Sequence, residues 1–293
     1  MDATKQGDGL ERFHGIFKPT PRALWMIPSN PIPALIKDGF KLTTLFTIGA
    51  VIQCGLFLIL PTKYAIIPCS VLTLNSIIST ILEIRSLKPG VTPPGAVPGR
   101  VTAQLPDAKT GIIPATPASK PLVVFHLGVR FNHPLGQLAP GGREIAEHSI
   151  SMNKDLLGRA SEYGLYHSST WLSADDKRGN TLMTVYYFRD VDGLHRFAHD
   201  PIHRKGWDWY NRTKEQYPWI GIFHETFVTG PQQYETIYAN MKPTLLGAAS
   251  LECEDEQTKE KAWVNTLVSC DVGPLRSQMR RMGKTNEPLA AYV

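Results

Sequence analysis

"PLVVFHLGVRF" (Pro121–Phe131) decides the fold. Val123, Phe125, Leu127, Val129 and Phe131 fall on one side of an extended chain, and His126, Gly128 and Arg130 fall on the other. Strict alternation of this kind marks a strand with one apolar face.

Working outward, "GREIAEHSISMNKDLLGRASEYG" puts Ile145, Ser149, Met152, Leu156, Ala160 and Tyr163 on one helical face, with Gly164 as the stop. "LYHSSTWLS" and "TLMTVYYF" read as two strands around the polar turn "ADDKRGN". "VDGLHRFAHDPIHRKGWDWYNRTKEQ" is helical, and "WIGIFHETFVTG" is a closing strand. The order β-α-β-β-α-β predicts an α+β, ferredoxin-like domain over residues 121–242, with both helices on one face of a four-stranded sheet. The other face is left open, as in proteins that cover it by pairing two copies.

Upstream, "LTTLFTIGAVIQCGLFLIL" (Leu42–Leu60) carries no charge, and "AIIPCSVLTLNSIISTILEI" (Ala65–Ile84) carries only Glu83. Runs of this length match the roughly 20 residues a helix needs to cross a bilayer. They predict a transmembrane hairpin over 42–84, with 1–41 as an interfacial segment in which Trp25 sits at headgroup level. Lys37 and Lys41 precede the hairpin, Arg85, Lys88 and Arg100 follow it, and only Lys63 lies in its loop. The positive-inside rule then places both termini in the cytosol of a two-pass, endoplasmic-reticulum-type membrane protein.

Residues 85–120 are rich in Pro and Gly and read as a linker, and 243–293 read as a polar, largely disordered tail. The four cysteines have no zinc or disulfide spacing. A formal charge of +5 suits a membrane surface and is too diffuse to argue for nucleic acid.

His195, His199 and His203 stand four residues apart, but Pro201 lacks the N–H an interior helix position needs. Asp200 is a good cap, so one helix ends and another begins there. The apparent metal ladder breaks, and no metal ligands are assigned. After the restart, His203, Trp207 and Asn211 share a face; read blandly, the indoles fill a helix–sheet core and His203 lines its edge.

The segment from about 121 to 250 resembles the fungal monooxygenase-like family, which has short bacterial relatives. The matching stretches are "VVFHLGVRFN", "YFRDVDGLHRFAHDPIHRKGWDWYN", "IGIFHETFVTGPQQYETIYANM" and the Trp171 that ends "HSSTW". The resemblance implies a dimeric α+β barrel and an antibiotic-biosynthesis-type monooxygenase acting in meroterpenoid or polyketide pathways. It also implies oxidation without a tightly bound metal or flavin, O₂ being the co-substrate. Positions carried over are Arg130, Trp171, His203, Trp207, Asn211, His224, Glu225 and Tyr234; His126 belongs to the strand reading alone. Related barrels can hold haem through a histidine, and non-covalent haem leaves no sequence mark, but none is expected here.

Cofactor-free oxygenation needs a base, a group to hold the developing anion and a dry pocket. His224 and Glu225 are adjacent and so point to opposite faces of their strand. If Glu225 faces the open side it can pair with Arg130, leaving His224 beneath the helices near His203 and Trp207. If His224 faces that side it is the better base, and this is the preferred reading. The expected catalytic set is therefore His224, His203, Arg130 and Glu225. His126, Trp171, Trp207, Asn211 and Tyr234 are expected to contact a small hydrophobic substrate. A membrane-held binding module without catalysis, or a lyase or isomerase using the same base, are the alternatives.

Overall fold

The computed structural model describes residues 12–24, 40, 42–173, 181–254 and 261–284. In chain order these hold strand β1 (Arg12–Phe13), helices α1 (Leu42–Ile59) and α2 (Ile67–Ser86), and strands β2 (Val97–Ala103), β3 (Ile113–Pro114) and β4 (Leu122–Phe131). Helix α3 (Gly142–Gly158) and strands β5 (Leu165–Leu172) and β6 (Thr181–Phe188) follow, then helices α4 (Val191–His199) and α5 (Pro201–Thr213) and strand β7 (Ile220–Thr229). Beyond them come β8 (Tyr238–Met241), β9 (Ser250–Glu254), β10 (Lys261–Asn265), β11 (Leu267–Ser269) and a single turn of helix, α6 (Gln278–Arg281).

Strands β4 to β7 form one antiparallel sheet in the order β5-β6-β4-β7, with α3, α4 and α5 on one face. That is the ferredoxin-like arrangement. The alternation in β4 builds it: Val123, Phe125 and Leu127 pack with Tyr186 and Phe188 of β6 against Leu156, Leu194 and Phe197 of the helices. A second cluster joins Phe131 and Ile220 to Ile145, with Trp209 and Trp219 around it. Each such buried side chain contributes roughly 1.5–3 kcal/mol over leaving it in water. The break at Pro201 is present: Asp200 is extended and its carboxylate accepts from the Ile202 N–H at 2.9 Å. Asp190 caps α4 in the same way, accepting from the Gly193 N–H at 2.7 Å. Gly193 has no room for a side chain, because a Cβ there would lie 1.9 Å from the Tyr163 carbonyl oxygen.

The stretch read as a linker departs from expectation. β2 lies between β8 and β11 in a three-stranded sheet, and Val101, Thr102, Ala103 and Leu105 are buried. Proline and glycine fit because the β2–β8 register shifts between Val97 and Arg100, so Pro98 and Gly99 occupy an irregularity instead of ladder positions. Gly99 has φ +75°, and its N–H is taken by the Asn240 side chain at 2.9 Å.

The segment read as a disordered tail is also folded across 245–254 and 261–284. β9 and β10 form a hairpin, and Leu246, Ala249, Leu251 and Cys253 pack against Leu122, Val185 and Tyr187. Its polar composition is absorbed by internal hydrogen bonds. Buried Asn265 donates to the Ala249 carbonyl at 2.8 Å, Thr266 Oγ1 to the Leu246 carbonyl at 2.7 Å, and Arg281 to Glu235 at 2.7 Å. Much of the charge in "EDEQTKE" belongs to residues 255–260, outside the described residues.

Of the segment read as interfacial, residues 12–24 instead join this second β-module: β1 pairs with β3, and Gly15 and Thr20 bridge to Val268 and Trp263. Trp25, Lys37 and Lys41, like the turn 174–180, lie outside the described residues. Among the described residues, the sheet face opposite the helices is therefore covered by the chain itself at one end and bare at the other.

Helices α1 and α2 pass the length and hydropathy test for a membrane span. Almost none of the residues in either apolar stretch, Leu42–Ile59 or Thr62–Ser86, is buried within the protein. Gln53, the amide within α1, donates to the Ala65 carbonyl at 2.9 Å across the tight connection.

Candidate active site

Cross-strand pairing arranges the face opposite the helices into rows. Residues directly opposite one another in an antiparallel sheet share a face, so β5, β6, β4 and β7 contribute in turn. One row is His167, Tyr187, Val124 and Phe227; the next is Ser169, Val185, His126 and Glu225. The third is Trp171, Met183, Gly128 and Phe223, and the last has Thr181, Arg130 and Gly221. The first row lies beneath the second β-module, which packs on Val124 and Tyr187. The module also reaches Val185 of the second row and Met183 of the third, and from there towards β4 and β7 the rows run out onto the bare part of the sheet.

In the second row His126 Nδ1 stands 3.5 Å from Glu225 Oε2, a loose contact at the edge of hydrogen bonding. The His126 side chain is 25% exposed and that of Glu225 is 62% exposed. The Phe227 ring meets the imidazole edge-on, with centroids 5.5 Å apart. Below, Phe223 lies across Gly128, and Trp171 donates its indole N–H to Ser169 Oγ at 3.2 Å. Arg130 donates to Asn132 Oδ1 at 2.8 Å and to Thr181 Oγ1 at 3.0 Å. The pairing with Arg130 that this facing of Glu225 would allow is not made among the described residues, where Glu225 meets His126 instead.

His224 goes the other way. It pairs with Leu127 and meets the Phe125 ring at 5.8 Å, on the helix face. The base preferred from sequence is therefore separated from Arg130 by the sheet, and Glu225 is the member of the pair on the bare side. His203 is also on the helix side, edge-on to Phe197 at 5.2 Å, with Nδ1 buried and no hydrogen-bond partner among the described residues. Burial holds its pKa below the usual histidine value. Trp207 is 45% exposed and leans on Tyr210, and Asn211 is exposed; neither reaches the rows. Tyr234 packs under the second module, its Oη buried without a partner among the described residues, and burial pushes its pKa well up.

Sequence reading missed His167 and Tyr166. A β-bulge between Leu165 and His167 breaks the alternation of β5, and Tyr166 packs with the module that covers the first row. Burial lowers His167 to about 4 and pushes Tyr166 up to about 12. Its only sequence signal was a histidine in a strand, and the bulge hid its facing.

A groove of about 450 Å³ between α3 and α5 is lined by Glu144, Glu147, His148, Ser151, Ile202, Lys205 and Trp209. It lies on the opposite side of the sheet from His126 and includes none of the residues selected from sequence. Among the described residues, no three His, Cys, Asp or Glu side chains gather closely enough to hold a metal ion.

Chemically, the bare face offers a histidine that a carboxylate can orient, an arginine two rows away, and aromatic side chains between and around them. A carboxylate accepting from imidazole Nδ1–H fixes the tautomer and leaves Nε2 to take a proton.

Residues 122–246 match the family model described as Monooxygenase af470-like. Monooxygenase af470 of Aspergillus fumigatus is 37% identical over 269 residues, which are 92% of this chain and 97% of that protein. Among solved structures, a variant of SnoaB, a cofactor-independent oxygenase from Streptomyces nogalater, is 13% identical. The match covers 36% of this chain and 90% of that one, with a TM-score of 0.25. A dimeric ferredoxin-like protein from an uncultured marine organism is 7% identical over 38% of this chain and 96% of its own, with a TM-score of 0.28.

Proposed function

The chain belongs to the Monooxygenase af470-like family and is a monooxygenase; from that premise we propose that it oxidises a small hydrophobic terpenoid or polyketide intermediate at the bare sheet face, without a bound cofactor, while anchored in a membrane. The observation that carries this reading is the His126–Glu225 pair set beside the Gly128–Phe223 floor and Arg130.

In this mechanism His126 removes a proton from an activated methylene, with Glu225 orienting the ring and stabilising the imidazolium. Arg130 holds the enolate oxygen that develops. The enolate passes one electron to O₂, and the resulting radical and superoxide combine into a peroxide. Protonation and loss of water leave a carbonyl. The methylene loses two hydrogens and gains one oxygen atom, and the second oxygen atom leaves as water, so no external reductant is needed. Trp171, Phe223 and Phe227 exclude water from the carbanion.

A second copy is proposed to complete the enclosure. β7 is an edge strand whose His224, Glu225, Thr226, Phe227 and Val228 are all exposed, and long exposed edges are natural pairing sites. Helices α1 and α2 are proposed to span an endoplasmic-reticulum-type membrane with both termini cytosolic, which would hold the domain where a lipophilic substrate concentrates.

The test is turnover by the full-length protein in membranes, offered a panel of lipophilic hydroxyaryl ketones and 1,3-dicarbonyls under ¹⁸O₂. One labelled oxygen per product, lost in His126→Ala, is expected. A product without label would point to a lyase or isomerase and end the oxygenase mechanism. Labelled product at full rate from His126→Ala would remove the proposed base.

A further inference from the structure

The turn Asp271–Gly273 gathers three guanidinium groups. Arg276 Nε donates to the Asp271 carbonyl at 3.0 Å, and Arg280 Nη1 donates to the Gly273 carbonyl at 3.0 Å. Arg100 Nη2 lies 3.7 Å from Asp271 Oδ1. Arg276 and Arg280 are exposed, and no acidic side chain among the described residues pairs with either. A guanidinium has five N–H donors, so a single backbone carbonyl leaves most of each fork unspent. Exposed Lys284 adds a further positive charge to the segment, and Asp271 is the one carboxylate in the turn. Val272 is 43% and Met279 38% exposed among these charges.

The position of this turn matters as much as its charge. The Cys270 N–H donates to the Arg100 carbonyl at 2.9 Å, which fastens the turn to the amino-terminal half of β2. That half is where the chain arrives from α2. Only the segment 87–96 intervenes, and it is shortened by two turns, Val91 N–H to the Lys88 carbonyl and Ala96 N–H to the Pro93 carbonyl. The Lys242 stem lies against Gly95 within that segment, adding a cation beside the tether.

We propose that this surface rests on anionic lipid headgroups of the leaflet from which α2 emerges, the arginine forks taking headgroup phosphates and Val272 and Met279 entering the interface. The proposal rests on the membrane-anchored reading above. Forked donors suit phosphate oxygens, and basic side chains mixed with apolar tips are the composition of interfacial contacts. Each basic side chain near an anionic surface favours contact roughly fivefold, an effect that salt screens. Docking here would fix the orientation of the sheet relative to the bilayer.

The experiment is hydrogen exchange on the full-length protein in lipid nanodiscs, one set of pure phosphatidylcholine and one with a third phosphatidylserine. Peptides covering 270–284 are expected to exchange at least about tenfold more slowly in the anionic discs. The difference should vanish in high salt and in the triple variant Arg276→Glu, Arg280→Glu, Lys284→Glu. Exchange of β4 serves as the control, and a variant that loses β4 protection is replaced by the Gln triple. Equal exchange in both discs would overturn the proposal while leaving the anchor intact. A chain that fails to enter either disc would overturn both. Slowing only after cell extract is added would assign the surface to a protein partner and overturn it as well.

Discussion

The Phe223 ring lies over Gly128 on the neighbouring strand, so close that a Cβ at residue 128 would stand 2.1 Å from the ring carbon Cζ. The glycine gives the aromatic its seat, and the two together make the floor between His126 and Arg130. Gly128→Ala is expected to push the ring toward the proposed substrate, costing about 1–3 kcal/mol of stability. KM should rise more than kcat falls. Thermal unfolding and steady-state kinetics read the two effects, and an unchanged KM would remove Phe223 from the site.

The two histidines, His126 of β4 and His224 of β7, should separate cleanly. His126→Ala is expected to lower kcat by about 10²–10⁴-fold, the usual worth of a general base. Glu225→Gln should cost roughly 10–100-fold, as loss of an orienting partner does. His224→Ala, on the helix face against Phe125, should change kcat by little. Equal losses in His126→Ala and His224→Ala would contradict the facing described here.

His167 makes stability depend on pH. Burial lowers its folded-state pKa to about 4 from 6.5, so the unfolded chain takes up a proton that the folded chain refuses. Stability is retained above the unfolded value and falls as the pH drops from about 6.5 towards 4, by at most roughly 3 kcal/mol. Denaturant melts of the wild type and His167→Gln across this window should diverge in slope, the variant being flatter. Parallel curves would show that His167 is solvated.

The carboxy-terminal strands should behave as core. Leu246 is 1% and Leu251 5% exposed, both against the sheet face. Leu251→Ala is expected to cost about 2–5 kcal/mol, and truncation after residue 242 should expose Leu122, Val185 and Tyr187 and abolish cooperative unfolding. A truncated chain that unfolds as sharply as the full one would show that the second module is dispensable.

How far the sequence could be read depends on where period and chemistry agree. In β4 the alternation of Val123, Phe125 and Leu127 with His126 and Arg130 is unbroken, and the facing of each side chain follows. At Asp200–Pro201 the backbone chemistry of proline dictates the helix break whatever surrounds it. In β7 every residue from His224 to Val228 is exposed, so there is no apolar alternation to say which neighbour faces which way, and the preference for His224 failed there. β2 escaped notice because Pro98 and Gly99 sit in a register shift that only a partner strand reveals. The carboxy-terminal module escaped because its buried polar groups, Asn265, Thr266 and Arg281, are paid for by hydrogen bonds that composition does not display.

Because β2 is held between β8 and β11, its partners are made long after it. At about 5–20 residues per second, β11 leaves the ribosome on the order of ten to thirty seconds after Ala103. Throughout that interval β2 lacks the strand on its β11 side, although Leu122, Val185 and Tyr187, which pack with Ala103 and Leu105, have already been made. A chain stopped before β11 would leave one edge of β2 without its partner strand, so this sheet closes only when translation is nearly over.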